Sequence, residues 1–399
     1  MGPSGKDRGP GVSAPGREGA TPVFEYTTVF GIDSHARSTT VCALRTDTGE
    51  AEFRRFAGSS PWDEAAAWMA GFPGPSLGAY ESGCTGFAPA RELAARGLEV
   101  VCAASSHLPS SPGSRSRKND RADALGLARA LLAGQLRPVW LPDPETEAMR
   151  DLSNALGDLR DAAKRARQRV LSFLLRKGLA WDGRTPRGGL KKPWGRDFRA
   201  WIARQSFAEP AEQAAWEAYV EAEREASEAY DRLLARAREA VAASAAYART
   251  VAAVSQLGGV AFVGALAVCA QIGDFGRFPS GRHVTAYLGL APSERSSGER
   301  LLNGGVTKAG CARARTCLVE GSWCYARAAA GASAAAAPGV PAEVAAHARR
   351  GSARLRRRRR AMLDRGVHPC RANCATAAEL ARWCWAVGLM AQRAARGEG

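Results

Sequence analysis

The chain contains no apolar run approaching the ~20 residues that a membrane-spanning helix needs. Its first residues, MGPSGKDRGPGVSAPGREGATP, lack the apolar core of a secretory signal. A cytoplasmic protein with no membrane partner is therefore expected. Paired cysteines are also missing. Ten cysteines are spread over 399 residues without one CxxC pair, which argues against a disulfide frame and favours buried, reduced thiols. The nearest approach to a zinc cluster is His368, Cys370 and Cys374, which has no matching second half. Acidic residues are scarce relative to basic ones, 39 against 56, leaving a net charge of +17. An excess of that size favours a polyanionic partner, nucleic acid above all, because neutralising phosphates releases counterions.

What is present is an ordered series of segments. Residues 1–22, rich in Gly, Pro and charge, cannot bury a core and are expected to form a disordered tail. TTVFGID, STTVCALRT and EAEFRRF then follow as three β-branched or alternating runs, with a turn around Gly49. A helix is expected around 61–70, a buried strand at LGAYE, a helix at PARELAARG capped by Gly97, and a strand at LEVVCAA. A Ser/Pro/Arg-rich loop precedes a helix at 120–132 and a short extended VWL. Three adjacent strands followed by alternating helices and strands predict an α/β domain with a mixed sheet, the order of ribonuclease H-like nucleases. The segment from Pro144 to about Lys177 reads as a basic helix, broken by a Gly/Pro/Trp-rich stretch at 181–194. Residues 209–248 read as one long helix, a coiled-coil arm or spacer, and a mostly α domain begins near Val251. The resulting domain plan is 27–178, a helical linker at 179–250, and 251–390.

Four carboxylates stand out. Asp33 ends the first strand and Glu81 the fourth, and strand ends of α/β sheets gather active sites. Asp120 and Asp123 are three apart at the start of a helix, on roughly one face. Gathered in one cleft, the four would repel unless a divalent cation with a taste for hard oxygen ligands, Mg²⁺ or Mn²⁺, neutralised them. Singly, each has an ordinary alternative: Asp120 as a helix N-cap, Asp123 as a dipole partner in the first turn, Asp33 as a turn opener. His35 is a candidate polar group on the substrate side, or a structural histidine.

A second region, AYLGLAPSERSSGERLLNGGVTKAGCARAR, mixes serine, glycine and basic residues between helical stretches. Ser296 and Ser297 precede Gly298, so a hydroxyl would be presented at a turn near Arg295, Arg300 and Lys308. Chemistry alone favours a plain phosphate-contacting loop, with the serines bonded to backbone. Upstream, LGGVAFVGALAVCAQIGDFGRF has glycine turns like those of a helix-hairpin-helix, whose amides approach phosphates, although such turns also serve packing. The run Arg356, Arg357, Arg358, Arg359 and Arg360 is either a solvated face or a nucleic-acid contact.

Taken together, GIDSHARSTTVCAL, YESGCTGFAPAREL, SRKNDRADALGLARALLAGQLRPVWLPD, IGDFGRFPSGRHVTAYLGLAPSERSSGER and GGVTKAG resemble the DEDD transposases of bacterial insertion sequences, the IS-one-ten family that includes the Piv invertase. The resemblance extends over nearly all of 27–390. It implies a RuvC-like first domain with Asp33, Glu81, Asp120 and Asp123 as the metal tetrad, and a nucleophilic serine at Ser297, or Ser296 if the register slips by one. It also implies a DNA substrate, a bridge RNA that guides the enzyme, and a homo-oligomer, dimer or tetramer. Asn119 stands where Thr is common, and Cys311 where Asn is usual. Two alternatives stay open: a Holliday-junction-type nuclease that hydrolyses with metal and water, and an inactive remnant that only binds nucleic acid.

Overall fold

A computed structural model describes residues 26–58, 60–104, 119–297, 300–326 and 336–397, with the side chains of 294–297 and 300–303 outside that description. The expected tail at 1–22 and most of the Ser/Pro/Arg-rich loop lie outside the described residues. The chain divides into two compact units, Met1–Pro142 and Asp143–Gly399.

The first unit is built on a five-stranded mixed sheet. Its strands are β1 (Thr28–Ser34), β2 (Ser38–Arg45), β3 (Ala51–Ala57), β4 (Ser76–Glu81) and β5 (Val100–Ala103), ordered β3-β2-β1-β4-β5. β1 pairs antiparallel with β2 and parallel with β4, so a crossover separates the meander from the parallel half. Side chains alternate between the two faces. Phe30, Ile32, Val41, Tyr80 and Cys102 pack beneath α1 (Trp62–Met69) and α2 (Ala88–Ala94). Val29, Cys42, Leu77 and Ala79 meet Ala124, Ala128 and Leu131 of α3 (Asp120–Leu132) on the other face. At the edge, β3 buries only Phe56, which is why its sequence is so polar. The mixed sheet fits the expected ribonuclease H-like domain. A single bridge, Ala103 to Pro138, precedes the extended VWL, whose Val139 amide donates to the Cys102 carbonyl.

The second unit is helical. α4 (Pro144–Arg176) begins at Asp143, whose side chain accepts from the Thr146 amide. It runs antiparallel to α6 (Pro210–Ala243), since the Lys177–Glu212 ion pair joins the end of one helix to the start of the other. Buried positions of α4 at Met149, Ser153, Leu156, Ala163, Ala166, Val170 and Phe173 fall at spacings of three, four or seven residues, as in a coiled-coil seam. Just beyond the Gly/Pro/Trp-rich break at 181–194 lies a short helix, α5 (Arg196–Ile202). Its Phe198 joins Trp181, Trp194, Trp201 and Phe173 in an aromatic cluster. The single helix expected over 209–248 is two: the chain leaves helical geometry at Ser244, which caps α7 (Ala245–Val254) by accepting from the Tyr247 amide. Serine offers the backbone that alternative partner, and no large gap in periodicity announces it.

The remaining core joins α7 to α8 (Phe262–Ile272), α9 (Gly281–Tyr287), α10 (Ala312–Ser322), α11 (Ala342–Asp364) and α12 (Pro369–Arg396). A two-stranded hairpin, β6 (Pro292–Ser297) and β7 (Arg300–Val306), interrupts the helices. All ten cysteines are free thiols. Burial pushes Cys384 up to about 12 and Cys42 up to about 11, so both stay protonated. His368 serves as the cap residue of α12, its Nδ1 accepting from the Cys370 amide.

Candidate active site

The site forms where one strand and one helix come unusually close. A Cβ added to Gly31 would lie 1.8 Å from the Ala124 carbonyl oxygen and 2.6 Å from the Ala128 nitrogen. Only glycine lets β1 lie against the α3 backbone at that distance. Two residues on, and on the same face by strand alternation, Asp33 reaches past Gly31 toward the first turn of α3, which carries Asp120 and Asp123. Among the described residues, one group of potential ligands has its atoms all within 4.8 Å of one another: Asp33, His35 and Asp120. Asp123 lies near enough for its charge to act on Asp33.

The electrostatics are those of crowded carboxylates. Asp33 is 16% exposed by its side chain. Burial pushes its carboxyl above the ordinary range; His35 pulls it down, and the Asp120 and Asp123 charges push it up again. His35 Nε2 lies 3.1 Å from Asp33 Oδ2, so this histidine stands within the cluster. His35 stands just past the end of β1, and its ring turns back toward the aspartate, a geometry that its sequence position alone does not disclose.

Asp120 is not the helix cap. Asn119 holds that post, its Oδ1 accepting from the Arg121 amide at 3.0 Å, and this leaves the Asp120 carboxylate to the cluster. The departure from the family's usual Thr is thus a swap of one N-cap residue for another. Glu81 stands one residue beyond the Ile32–Tyr80 pair of parallel β1 and β4, hence beside Asp33 in register and on the α3 face. It is exposed and is not among the three residues whose ligand atoms come within 4.8 Å of one another. The donor set of carboxylates with one imidazole fits a divalent cation such as Mg²⁺ or Mn²⁺.

The serines lie elsewhere in the fold, in the second unit. Ser297 is the last residue of β6, opposite Arg300, and Ser296 pairs with Leu301. The expected loose turn is therefore a hairpin with Ser297 at its tip; the side chains of Arg295, Ser296, Ser297 and Arg300 lie outside the described residues. Lys308 is exposed, with φ +58°, its amide donating to the Gly289 carbonyl. The glycine turn between α7 and α8 is committed to packing. The Gly258 amide donates to Ser352 Oγ at 3.0 Å, Tyr325 donates to the Gly258 carbonyl, and Gly259 with φ +78° abuts the Gly321 carbonyl.

The arginine run divides by helix face. Glu379 of α12, 5% exposed, receives Arg354 at 2.7 Å and pairs with Arg358. Arg359 is 3% exposed and stacks near Trp323. Arg357 and Arg360 are exposed, and Arg356 is partly buried.

A mixed sheet that brings Asp33, near the end of a strand, to the first turn of a covering helix fits a DEDD-type domain. A DEDD transposase model of the IS110 type matches residues 30–177, and the model described as Transposase IS116/IS110/IS902 family matches 251–336. The chain belongs to this family of insertion-sequence transposases. A protein of Sinorhizobium fredii (strain NBRC 101917 / NGR234) named as a transposase is 37% identical over 246 residues, 62% of this chain and 57% of the relative. The transposase for insertion sequence element IS1533 of Leptospira borgpetersenii is 27% identical over 209 residues, 51% of this chain and 57% of its own. The match therefore spans under two thirds of these relatives' length. Among the described residues no helix is long and apolar enough to cross a membrane.

Proposed function

We propose that this protein is a site-specific DNA recombinase that moves an insertion sequence, using the acidic cluster and Ser297 in the same strand-exchange reaction. The observation that carries the reading is the approach of Asp120 and Asp123 to Asp33 across Gly31, in a chain that matches both family models in order. Asp33, Asp120, Asp123 and Glu81 would hold Mg²⁺ or Mn²⁺, with His35 turned into the same group. A bound divalent ion supplies Lewis acidity toward non-bridging phosphate oxygens. His35 Nε2–H donates to Asp33 Oδ2 and so fixes the carboxylate's orientation.

Ser297 Oγ attacks the scissile phosphorus. The new Oγ–P bond replaces the P–O bond to one deoxyribose oxygen, which departs and takes up a proton as the serine loses its own. The phosphoserine ester conserves the bond energy, so a second deoxyribose hydroxyl can reverse the step on a new end without an external energy source. The hairpin suits this role because residue 297 ends β6, where it pairs with Arg300. A bridge RNA and a homo-oligomer complete the reading, supported by the family resemblance and the net charge of +17.

A second reading draws on the acid cluster alone, which is contained within the first unit: a metal-dependent nuclease in which water is the nucleophile. The two part on Ser297→Ala. Loss of recombination with DNA binding intact supports the recombinase, whereas unimpaired strand cleavage by the variant supports the hydrolase.

A further inference from the structure

The outward face of α4 carries Arg165, Arg169 and Arg176 at intervals of four and seven residues, with Gln168 and Ser172 between them, all exposed. That spacing places them on one side of the helix, over about 16 Å at 1.5 Å per residue. Together with Tyr219 of α6 they line a hollow of about 270 Å³ in which no carboxylate takes part. The neighbouring hollow differs: Arg160, Lys164 and Arg313 share it with Asp161 and Glu320, and are partly neutralised. The acids that flank Tyr219 are turned to other partners, Glu217 to Gln213 and Glu221 to Arg224. Behind the stripe, Ala166, Val170, Phe173 and Leu174 are buried in the seam, so the charged face is held straight and rigid.

We infer that this face of α4 binds the sugar-phosphate backbone of duplex DNA. The inference rests on the DNA-acting reading above and adds a surface that lies apart from both the acids and the serine. One strand presents a phosphate about every 3.4 Å along the duplex axis, so 16 Å of helix faces roughly five of them. Single strands are held mainly by stacking on free aromatic rings. The one aromatic ring here, Tyr219, already packs on Phe173 with centroids 5.7 Å apart. With guanidiniums, an amide and a hydroxyl but no base-reading platform, the groove holds and orients DNA without reading its sequence.

The test is the salt dependence of binding by the full-length protein to a duplex of arbitrary sequence, followed by fluorescence anisotropy. Replacing Arg165, Arg169 and Arg176 together by Gln removes up to three phosphate contacts, so the slope of log K against log salt falls by about 2.7, at 0.9 per contact. The triple Lys variant keeps the slope, and the exposed positions leave thermal unfolding unchanged. An unaltered DNA slope in the Gln variant overturns the inference, including the case where only binding to an RNA hairpin weakens. Wild-type protein with no salt-dependent DNA binding overturns both this inference and the recombinase reading. A wild-type that binds beside an unaffected Gln variant overturns the inference alone.

Discussion

Gly31→Ala is the sharpest perturbation of the acid site, because it touches none of the acids. Its Cβ would sit 1.8 Å from the Ala124 carbonyl oxygen, against the 3.0 Å below which real contacts essentially never fall. The obstacle is helix backbone, which no rotamer change relieves. Either α3 retreats by about 1 Å or more, or β1 bends away. Overpacking of this kind costs about 1–3 kcal/mol, roughly 5- to 150-fold in the folding equilibrium. The retreat also carries the first turn of α3, hence Asp120 and Asp123, away from Asp33. Misplacement by about 1 Å is enough to lower a rate by about 10²-fold. Two assays separate these effects: thermal unfolding, and strand cleavage measured well below the melting range. The expected result is a lower melting temperature together with a cleavage loss larger than the unfolded fraction explains. An alanine variant that melts and cleaves like the wild type would refute the close approach of β1 and α3 as the device that builds the site.

Other predictions follow from individual contacts. Asp33→Asn and Asp120→Asn each remove a ligand from the three-residue group; each should abolish Mn²⁺ binding in isothermal calorimetry while DNA binding at low salt survives. Asn119→Ala loses the cap on Arg121, costing about 1 kcal/mol in chemical denaturation, with cleavage reduced because the frayed turn is the one that carries Asp120. Glu379 has a depressed folded pKa: burial pushes it up, but the hydrogen bonds and charges of Arg354 and Arg358 outweigh that. Its contribution is therefore present above the unfolded glutamate value of about 4.3 and is lost as the pH falls through the lower folded value. Glu379→Gln should cost about 1–2 kcal/mol at neutral pH, discounted because both guanidiniums face solvent, and should flatten the acid limb of the stability profile.

Much of the first unit was legible because short-range rules govern it. Alternation and turn residues mark β1 to β5, and the helix expected at 120–132 is α3 at its observed bounds, although its cap is Asn119 and not Asp120. Strand ends and a first helical turn are local features, and they bring Asp33 and Asp120 together; the third member of that group is His35, whereas the expected Glu81 is not in it. What escaped depends on distant partners. Nothing near Gly31 in the chain says that α3 will rest on it, and nothing near Arg358 says that Glu379, 21 residues away, will take it out of a solvated run. The break at Ser244 was hidden because Ala-rich sequence on both sides favours helix equally well. The β6–β7 hairpin was hidden because Gly and Ser say turn without saying strand.

The central claim is that the acids serve a serine nucleophile, and one measurement addresses it directly. A DNA substrate carrying the element end and labelled on each strand in turn is incubated with protein and Mg²⁺, then resolved under denaturing conditions. The account predicts a covalent protein–DNA adduct with the wild type that persists in Ser296→Ala and is absent from both Ser297→Ala and Asp120→Asn. Cleaved DNA with no adduct in the wild type, or an adduct that survives Ser297→Ala, would contradict it.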